Sequence, residues 1–380
     1  MRVVVLNSAQ GKQPCGTDAW VGATLRAVDA LADAGHTIVA SVGLNTWELV
    51  LWRAAKRSAP VHVVMPLERR DTDRDAVRAW LEREFRVTPY AISWVQPPRG
   101  TCGRKAAWAQ RDGQTMQEAE CLVPVSVRPA GRLARLIELW RGERRMDARF
   151  ETGCQLRPAN HSWQARKPQE LRERVTALRS PLFHLTRATS GPWPGERAWQ
   201  YYDDVAQSAG YARSGFATLC RIVREQRIRA SSFRMPRLTP MVSWSDCDGP
   251  ALVALVRGRR RYARYAFEPY AIAVERAELE RLGARAVQYR LGRCADGGGT
   301  SRWEQGSGPD GAWRAEREWR VQGDVWLGSL PPGAVSIVTA TEQEAERLRR
   351  WCPWPVCCLG YSGGLERPTS PEPQDPAGAS

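Results

Sequence analysis

The sequence predicts an α/β protein, with a Rossmann-like parallel-sheet domain followed by an α+β domain. Three observations carry this. Short apolar runs alternate with helical patterns through the first half of the 380-residue chain. Those runs are continuous rather than polar-apolar alternations, as expected of strands covered on both faces. The second half has many strand-like runs, few helical ones and no regular alternation, which suits an α+β layout.

In the first half, "RVVVL" (2–6), "TIVAS" (37–41), "VHVVM" (61–65), "YAISW" (90–94) and "CLVPVS" (121–126) read as strands. Thr17 is placed to cap a helix running through Val21, Leu25, Val28 and Leu31 and stopping at Gly35. Asn45 and Glu48 stand three apart, as in a capping box, ahead of an apolar stripe of Trp47, Val50, Leu51, Ala54 and Ala55. Arg53, Lys56 and Arg57 suit the negative C-terminal end of that helix. A further helix over 73–85 puts Val77, Trp80, Leu81 and Phe85 on one face.

In the second half, strands are expected at 181–186, 240–245, 270–275, 285–290, 316–321, 335–340 and 355–359, and helices at 197–207, 214–226, 276–282 and 341–351. A Gly/Ser-rich loop covers 295–313. The expected organisation is a first domain over 1–145, a polar connector over 146–180, a second domain over 181–360 and a disordered tail over 361–380.

The formal net charge is +15, carried by 52 arginines and only four lysines. Such a charge invites a nucleic-acid partner. The arginines are spread along the chain, often beside Glu or Asp, and an arginine-rich composition also fits a GC-rich coding bias. Ten cysteines lack the spacing of a zinc site and read as buried free thiols, so no metal is expected. No stretch is apolar enough to span a membrane. Met1 leads straight into "RVVVLN", a strand rather than a signal peptide, so the chain is expected in the cytoplasm.

"ECLVPVSVRPAGRL" (120–133) concentrates the candidate chemistry of the first half. In a parallel sheet, ligands sit beyond the C-terminal strand ends, where helices begin with unpaired N–H groups and a positive dipole end. Ser126, Arg128 and Gly131 occupy such a place, as do Ser8, Gly16 and Thr17 after the first strand and Ser41 and Gly43 after the second. Arg111 and Asp112 lie in the segment before the fifth strand. Hydroxyls and guanidinium donate to phosphate oxygens, glycine admits close approach, and a carboxylate accepts from a ribose hydroxyl. Helix caps and structural ion pairs use the same residue types.

The stretches "GTDAWVGAT", "SVGLNTWELVLWRAA" with "VHVVMP", "RD" and "ECLVPVSVRPAG" resemble the Rossmann-like superfamily that groups DNA-processing protein A with the cytokinin-activating, lysine-decarboxylase-like proteins. The resemblance covers about residues 1–140. It implies a nucleotide-derived ligand over the strand ends, with Gly16, Thr17, Ser41, Gly43, Arg128 and Gly131 at matching positions. Where the phosphoribohydrolase branch carries PGGxGTxxE, this chain reads "RPAGRLARL", so ligand sensing is expected rather than hydrolysis.

In the second half, "WRAEREWR" (313–320), read as a strand, puts Arg314, Glu316, Glu318 and Arg320 on one face, either an ion-pair ladder or a site. The order His184 and Arg187, then "IRASS", then Ser243 and Ser245, then Glu316 and Glu318 resembles an ADP-ribosyltransferase-like layout and domains associated with phage abortive infection. That resemblance implies NAD held by His184 or Arg187, with Glu316 or Glu318 stabilising a ribosyl cation. A lone strand histidine is as readily a core residue.

The leading expectation is a bacterial anti-phage defence protein. Its first domain would sense NAD, an NAD-derived molecule or a cyclic nucleotide, and its second would be an ADP-ribosyltransferase-like effector acting on a protein or nucleic-acid target, with homo-oligomerisation possible. The alternative is a non-enzymatic single-stranded DNA-binding or DNA-processing protein that pairs its arginines with Trp94 and Trp108 as stacking platforms. A scaffold whose glycine-rich loop and tail recruit partners is a third reading.

Overall fold

The computed structural model describes residues 1–66, 73–95, 104–154, 178–232, 235, 239–248, 251–252, 255–256, 258–259, 264–265, 267–290, 301–307 and 309–360. Most of the expected connector, part of the glycine-rich loop, the whole tail and the Trp108 side chain lie outside the described residues. The chain divides into two units, the first holding described residues 1–154 and 190–212, the second 178–189 and 213–360.

The first unit is a parallel sheet wound on both faces. Its elements are β1 (Arg2–Asn7), α1 (Ala19–Asp33), β2 (Thr37–Ser41), α2 (Asn45–Lys56), β3 (Val61–Pro66), α3 (Arg74–Phe85), β4 (Ala91–Val95), α4 (Arg104–Gln117), β5 (Cys121–Ser126), α5 (Arg132–Trp140) and β6 (Arg145–Met146). The strand order is β4-β3-β2-β1-β5-β6, with every pairing parallel. Because the chain winds outward from β1 through β2, β3 and β4 and then returns to place β5 on the other side of β1, the strand order reverses between β1 and β5. The topological switch point therefore lies at their C-terminal ends.

The apolar runs form strands because both faces are covered. Val3, Val5, Ile38, Ala40, Val61 and Val63 pack with α1, α2 and the Leu81 and Phe85 side of α3. Val4, Leu6, Val39, Val64 and Leu122 pack with Met116 of α4 and Leu133 and Ile137 of α5. A helix at α6 (Ala198–Gln207), expected in the second half, adds its Tyr201, Tyr202 and Val205 to the first of these cores. α3 is capped by Asp73, whose carboxylate accepts from the Asp75 and Ala76 amides. The N-cap of α1 is Asp18 rather than Thr17, because the Thr17 hydroxyl donates to the Ala209 carbonyl.

The second unit is built on a mixed sheet. Its elements are β7 (Pro181–Thr186), α7 (Gly215–Glu225), β8 (Arg227–Ile228), β9 (Met241–Ser245), β10 (Gly258–Arg259), β11 (Arg264–Tyr265), β12 (Tyr270–Glu275), α8 (Arg276–Arg281), β13 (Arg285–Ala286), β14 (Gln288–Arg290), β15 (Glu304–Gly306), β16 (Glu318–Gln322), β17 (Val325–Trp326), β18 (Val335–Thr339), α9 (Glu342–Arg349) and β19 (Val356–Cys358). Seven strands run in the order β13-β16-β9-β7-β12-β18-β19, antiparallel except for the β18–β19 pair. Leu182, Leu219, Val223, Trp244, Ile272, Ile337 and Leu348 lie in its core. Ser214 caps α7, and Thr341 with Glu344 forms a reciprocal capping box on α9.

Two strand expectations change. The run 285–290 is split into β13 and β14, which join different ladders. Residues Pro309–Glu316 form a 3-10 helix, and Arg317 adopts φ 43° before β16 begins at Glu318. The strand pattern read over 313–320 therefore holds only for its last three residues.

The α/β parallel-sheet half and the following mixed-sheet half are thus both present. No helix among the described residues is long and apolar enough to cross a membrane.

Candidate functional site

The rim above the C-terminal strand ends divides into three parts with different chemistry. At the first, the β1–α1 loop is taken up by packing. The Gly16 amide donates to the Ser208 carbonyl at 2.9 Å, and a Cβ on Gly16 would stand 2.5 Å from the Ala206 carbonyl oxygen. Only glycine allows that approach. Gly16 and Thr17 thus face the segment after α6.

At the second, beyond β2, the protein supplies its own anion. Gly43 adopts φ 89°, and its amide donates to Glu48 Oε1 at 2.8 Å. The Tyr202 hydroxyl donates to Glu48 Oε2 at 2.8 Å. Burial raises the Glu48 pKa, opposed by these two hydrogen bonds and by the nearby Arg111 charge. Arg111 is 1% exposed and donates to the Val42 carbonyl at 2.7 Å and to Asp112 Oδ1 at 2.8 Å. The Ser41 hydroxyl donates to the Val64 carbonyl at 2.6 Å. Asn45 does not form the expected capping box, since its amide donates to the Gly11 carbonyl and Leu44 is the N-cap. Gly43 and Arg111 thus act on Glu48, while the Ser41 hydroxyl is bonded to the β3 backbone and the Asp112 carboxylate to Arg111.

The third part, at the switch point, differs. Pro124 has no N–H to give, and the β1–β5 register slips there, with Leu6 opposite Pro124 but Asn7 opposite Ser126. The bulge brings Ser126 to the strand end. The Ser8 amide donates to the Ser126 carbonyl at 2.8 Å, and the Arg128 amide donates to Ser8 Oγ at 2.8 Å. The Gln10 side-chain amide donates to Ser126 Oγ at 3.0 Å. Ser8, Gln10, Ser126 and the Arg128 amide are therefore bonded to one another, while the buried Asn7 Oδ1 at the end of β1 has no partner.

What faces outward at this rim is basic. Arg128 is exposed, with one guanidinium N–H reaching the Ala9 carbonyl at 3.3 Å. Ala130 at φ 54° and Gly131 close a tight turn, in which a Cβ on Gly131 would meet the Arg128 carbonyl oxygen at 2.9 Å. α5 then starts with no side-chain cap and no acidic residue in its first turn, so its N–H groups and positive dipole end stay at the rim. Arg132 and Arg135 lie three apart on its exposed side. From Arg128 to Arg145 the chain carries six arginines and two glutamates.

In the second unit, two of the four expected catalytic residues, His184 and Glu318, fall on opposite faces of the sheet, while Glu316 and Glu318 both act on Tyr289. Cross-strand partners share a face. Phe183 pairs with Ser245 and Ser245 with Glu318, so Glu318, Ser243 and Arg320 share one face while His184, Trp244 and Trp319 take the other. The His184 and Trp244 rings meet edge to face at 5.7 Å, and His184 Nδ1 lies 2.9 Å from the Ser243 carbonyl. Desolvation lowers the His184 pKa, which keeps the ring neutral. Arg320, 1% exposed, donates to both Glu318 oxygens and to the Arg302 carbonyl, and the Ser243 hydroxyl also donates to Glu318. Glu318 and Arg320 therefore form the ion-pair ladder reading of this stretch. Glu316 ends the 3-10 helix, and Arg187 stands past the end of β7, where its charge is felt by Glu268. This arrangement does not fit NAD, and no ribosyl-transfer step follows from it.

Sequence reading missed the acid cluster at that end of β7. Glu268 accepts from the Ala188 and Gly215 amides, and Glu344 accepts from the Tyr270 hydroxyl at 2.7 Å. Burial raises the pKa of both carboxyls. Glu268 lay in no recognisable pattern, whereas Thr341 and Glu344 carry the spacing of a capping box. The eight described cysteines are free thiols, and no group of metal-binding side chains occurs among the described residues.

No family model and no curated protein matches the chain. Among solved structures, DNA processing protein A from Helicobacter pylori, which binds single-stranded DNA, is similar at 12% identity and a TM-score of 0.28, over 40% of this chain and 69% of that one. A likeness at that level carries no functional argument here. Neither the ADP-ribosyltransferase resemblance nor the defence role draws support from these comparisons.

Proposed function

We propose that the first unit binds the phosphate backbone of a single-stranded nucleic acid along the rim and exposed side of α5, as a binding module rather than an enzyme. The supporting observation is the contrast at the switch point. The inner donors of Ser8, Gln10 and the Arg128 amide are bonded within the crevice, while Arg128, Arg132 and Arg135 are exposed beside an uncapped helix start. An enclosed small-molecule site would need inward donors left for the ligand. An open line of guanidiniums suits an extended polyanion, which each arginine meets with charge-assisted hydrogen bonds.

Fluorescence anisotropy of a labelled single strand, a duplex of the same sequence and a labelled mononucleotide tests this. The reading expects the single strand to bind, with affinity falling steeply as salt rises. Tight, salt-insensitive binding of the mononucleotide would favour the nucleotide-sensing alternative, and indifference to all three at low salt would remove the proposal.

A further inference from the structure

Two exposed tryptophans of the second unit flank the end of α7, each against an arginine. β8 and β17 pair antiparallel, with Ile228 opposite Val325 and Arg227 opposite Trp326. Ile228 and Val325 are buried, so Arg227 and Trp326 share the outer face of that ribbon. There the Arg227 guanidinium stands 4.4 Å from the centre of the Trp326 ring, and Trp326 is 52% exposed. Trp351, 40% exposed, follows α9, and the Arg224 guanidinium of α7 lies 5.0 Å from its ring centre. Both indoles belong to one place. The Gln226 carbonyl, between Arg224 and Arg227, accepts from the Leu327 amide, next to Trp326, at 2.8 Å. A Cβ on Gly328 would run into Gln226 Oε1, so the turn after Trp326 is pressed against the end of α7.

The acids at this end of α7 are already paired. Glu225 bridges Arg221 and Arg229, and Asp324 pairs with Arg227. Arg224 and Arg350 are exposed and, among the described residues, form no ion pair. The surface thus offers aromatic planes beside free guanidiniums, with no unpaired carboxylate at the end of α7 to repel an anion. Trp94, the platform expected in the first unit, is by contrast half-buried, with Arg74 5.5 Å from its ring centre. We propose that the end of α7 is a second contact surface for single-stranded nucleic acid, built by the second unit alone and independent of the α5 rim. Bases stack on Trp326 and Trp351, and the phosphates between them meet Arg224 and Arg350 with charge-assisted hydrogen bonds. A duplex keeps its base faces stacked on one another, so open indole planes favour a single strand.

The test measures binding of a single strand, an abasic strand of equal length and charge, and poly-glutamate. The full-length wild type is compared with the Trp326→Ala/Trp351→Ala double variant, the Trp326→Phe/Trp351→Phe double variant and Arg128→Ala. Both indoles lie at the surface, so their truncation leaves the core in place, and the phenylalanine pair keeps the ring. The base-bearing strand is expected to bind wild type at least about tenfold tighter than the abasic one, the size of one stacked base. The alanine pair is expected to bring that ratio close to one while abasic binding stays as in wild type, and the phenylalanine pair to keep most of it. Arg128→Ala is expected to weaken both strands together and leave the ratio intact. A wild-type ratio of one, or a ratio that survives the alanine pair, overturns this surface while phosphate binding at α5 stands. A ratio lost in the alanine pair with Arg128→Ala binding like wild type supports this surface and removes the α5 reading. Poly-glutamate that binds as tightly as the strand, and is lost in the alanine pair, assigns the surface to an acidic peptide and overturns the proposal. Binding of neither strand overturns both.

Discussion

Two helix starts in one sheet, α2 and α5, solve the same problem in opposite ways. Both follow a strand end, both lack a side-chain cap, and both present a positive dipole end. α2 fills its start with Glu48, held by Gly43 and Tyr202 and buried with Arg111 close by. α5 has no acid in its first turn and stands behind Arg128. A strand end that resembles a ligand site in sequence can thus be closed by a carboxylate from the same chain. The start that remains basic and exposed is the one to test for an external anion.

The largest expected effect comes from emptying the α2 start. Glu48→Ala leaves the Tyr202 hydroxyl and the Gly43 amide unpaired, at about 1–3 kcal/mol for each donor that water does not reach. Chemical denaturation should show that loss, with nucleic-acid affinity unchanged once the protein is folded. A change in affinity with no loss of stability would reverse the roles assigned to the two helices.

The second effect is on pH dependence. The ordinary glutamate pKa is 4.5, and burial raises it for Glu48. A carboxyl with a raised folded-state pKa contributes stability that is fully present below its unfolded pKa and is lost as pH rises through the folded value. Stability should therefore decline as pH climbs above about 4.5, and Glu48→Gln should flatten part of that decline. Glu268 and Glu344 act in the same direction in the second unit. Thermal unfolding from pH 4.5 to 8 would show this, and an unchanged slope in Glu48→Gln would contradict the assignment.

A smaller effect sharpens the contrast from the other side. Arg132→Glu gives α5 the first-turn acid that α2 already has. Favourable interaction with the helix dipole is worth about 0.3–1 kcal/mol, so stability should hold or rise slightly while strand affinity falls. Equal affinity in Arg132→Glu would show that the phosphates do not pass the start of α5.

Much of the first unit was legible because buried parallel strands leave continuous apolar runs, and β1, β2, β3, β4 and β5 all fall where such runs stand. The divided rim was not legible. Gly16 and Gly43 look alike in sequence, yet one admits the Ala206 carbonyl at the end of α6 and the other turns its amide to Glu48. Glu48 carried the spacing of a capping box, and its partner Tyr202 lies far along the chain, so local pattern could not separate a cap from a buried anion. The placing of the second-unit candidates was illegible for a related reason. Strand faces follow from register, and the Phe183–Ser245–Glu318 pairing that parts His184 from Glu318 is set by contacts remote in sequence. The 3-10 helix over Pro309–Glu316 broke the period of two on which a shared face depended.

The most direct test is the salt dependence of single-strand binding in Arg128→Ala, Arg135→Ala and, as a control, Arg78→Ala on the exposed side of α3. If phosphates lie along α5, the slope of log affinity against log salt should shallow by about 0.7 for each contact removed. That change should appear in Arg128→Ala and Arg135→Ala and be absent in Arg78→Ala. Equal losses in all three would mean that general positive charge, and not this rim, attracts the strand.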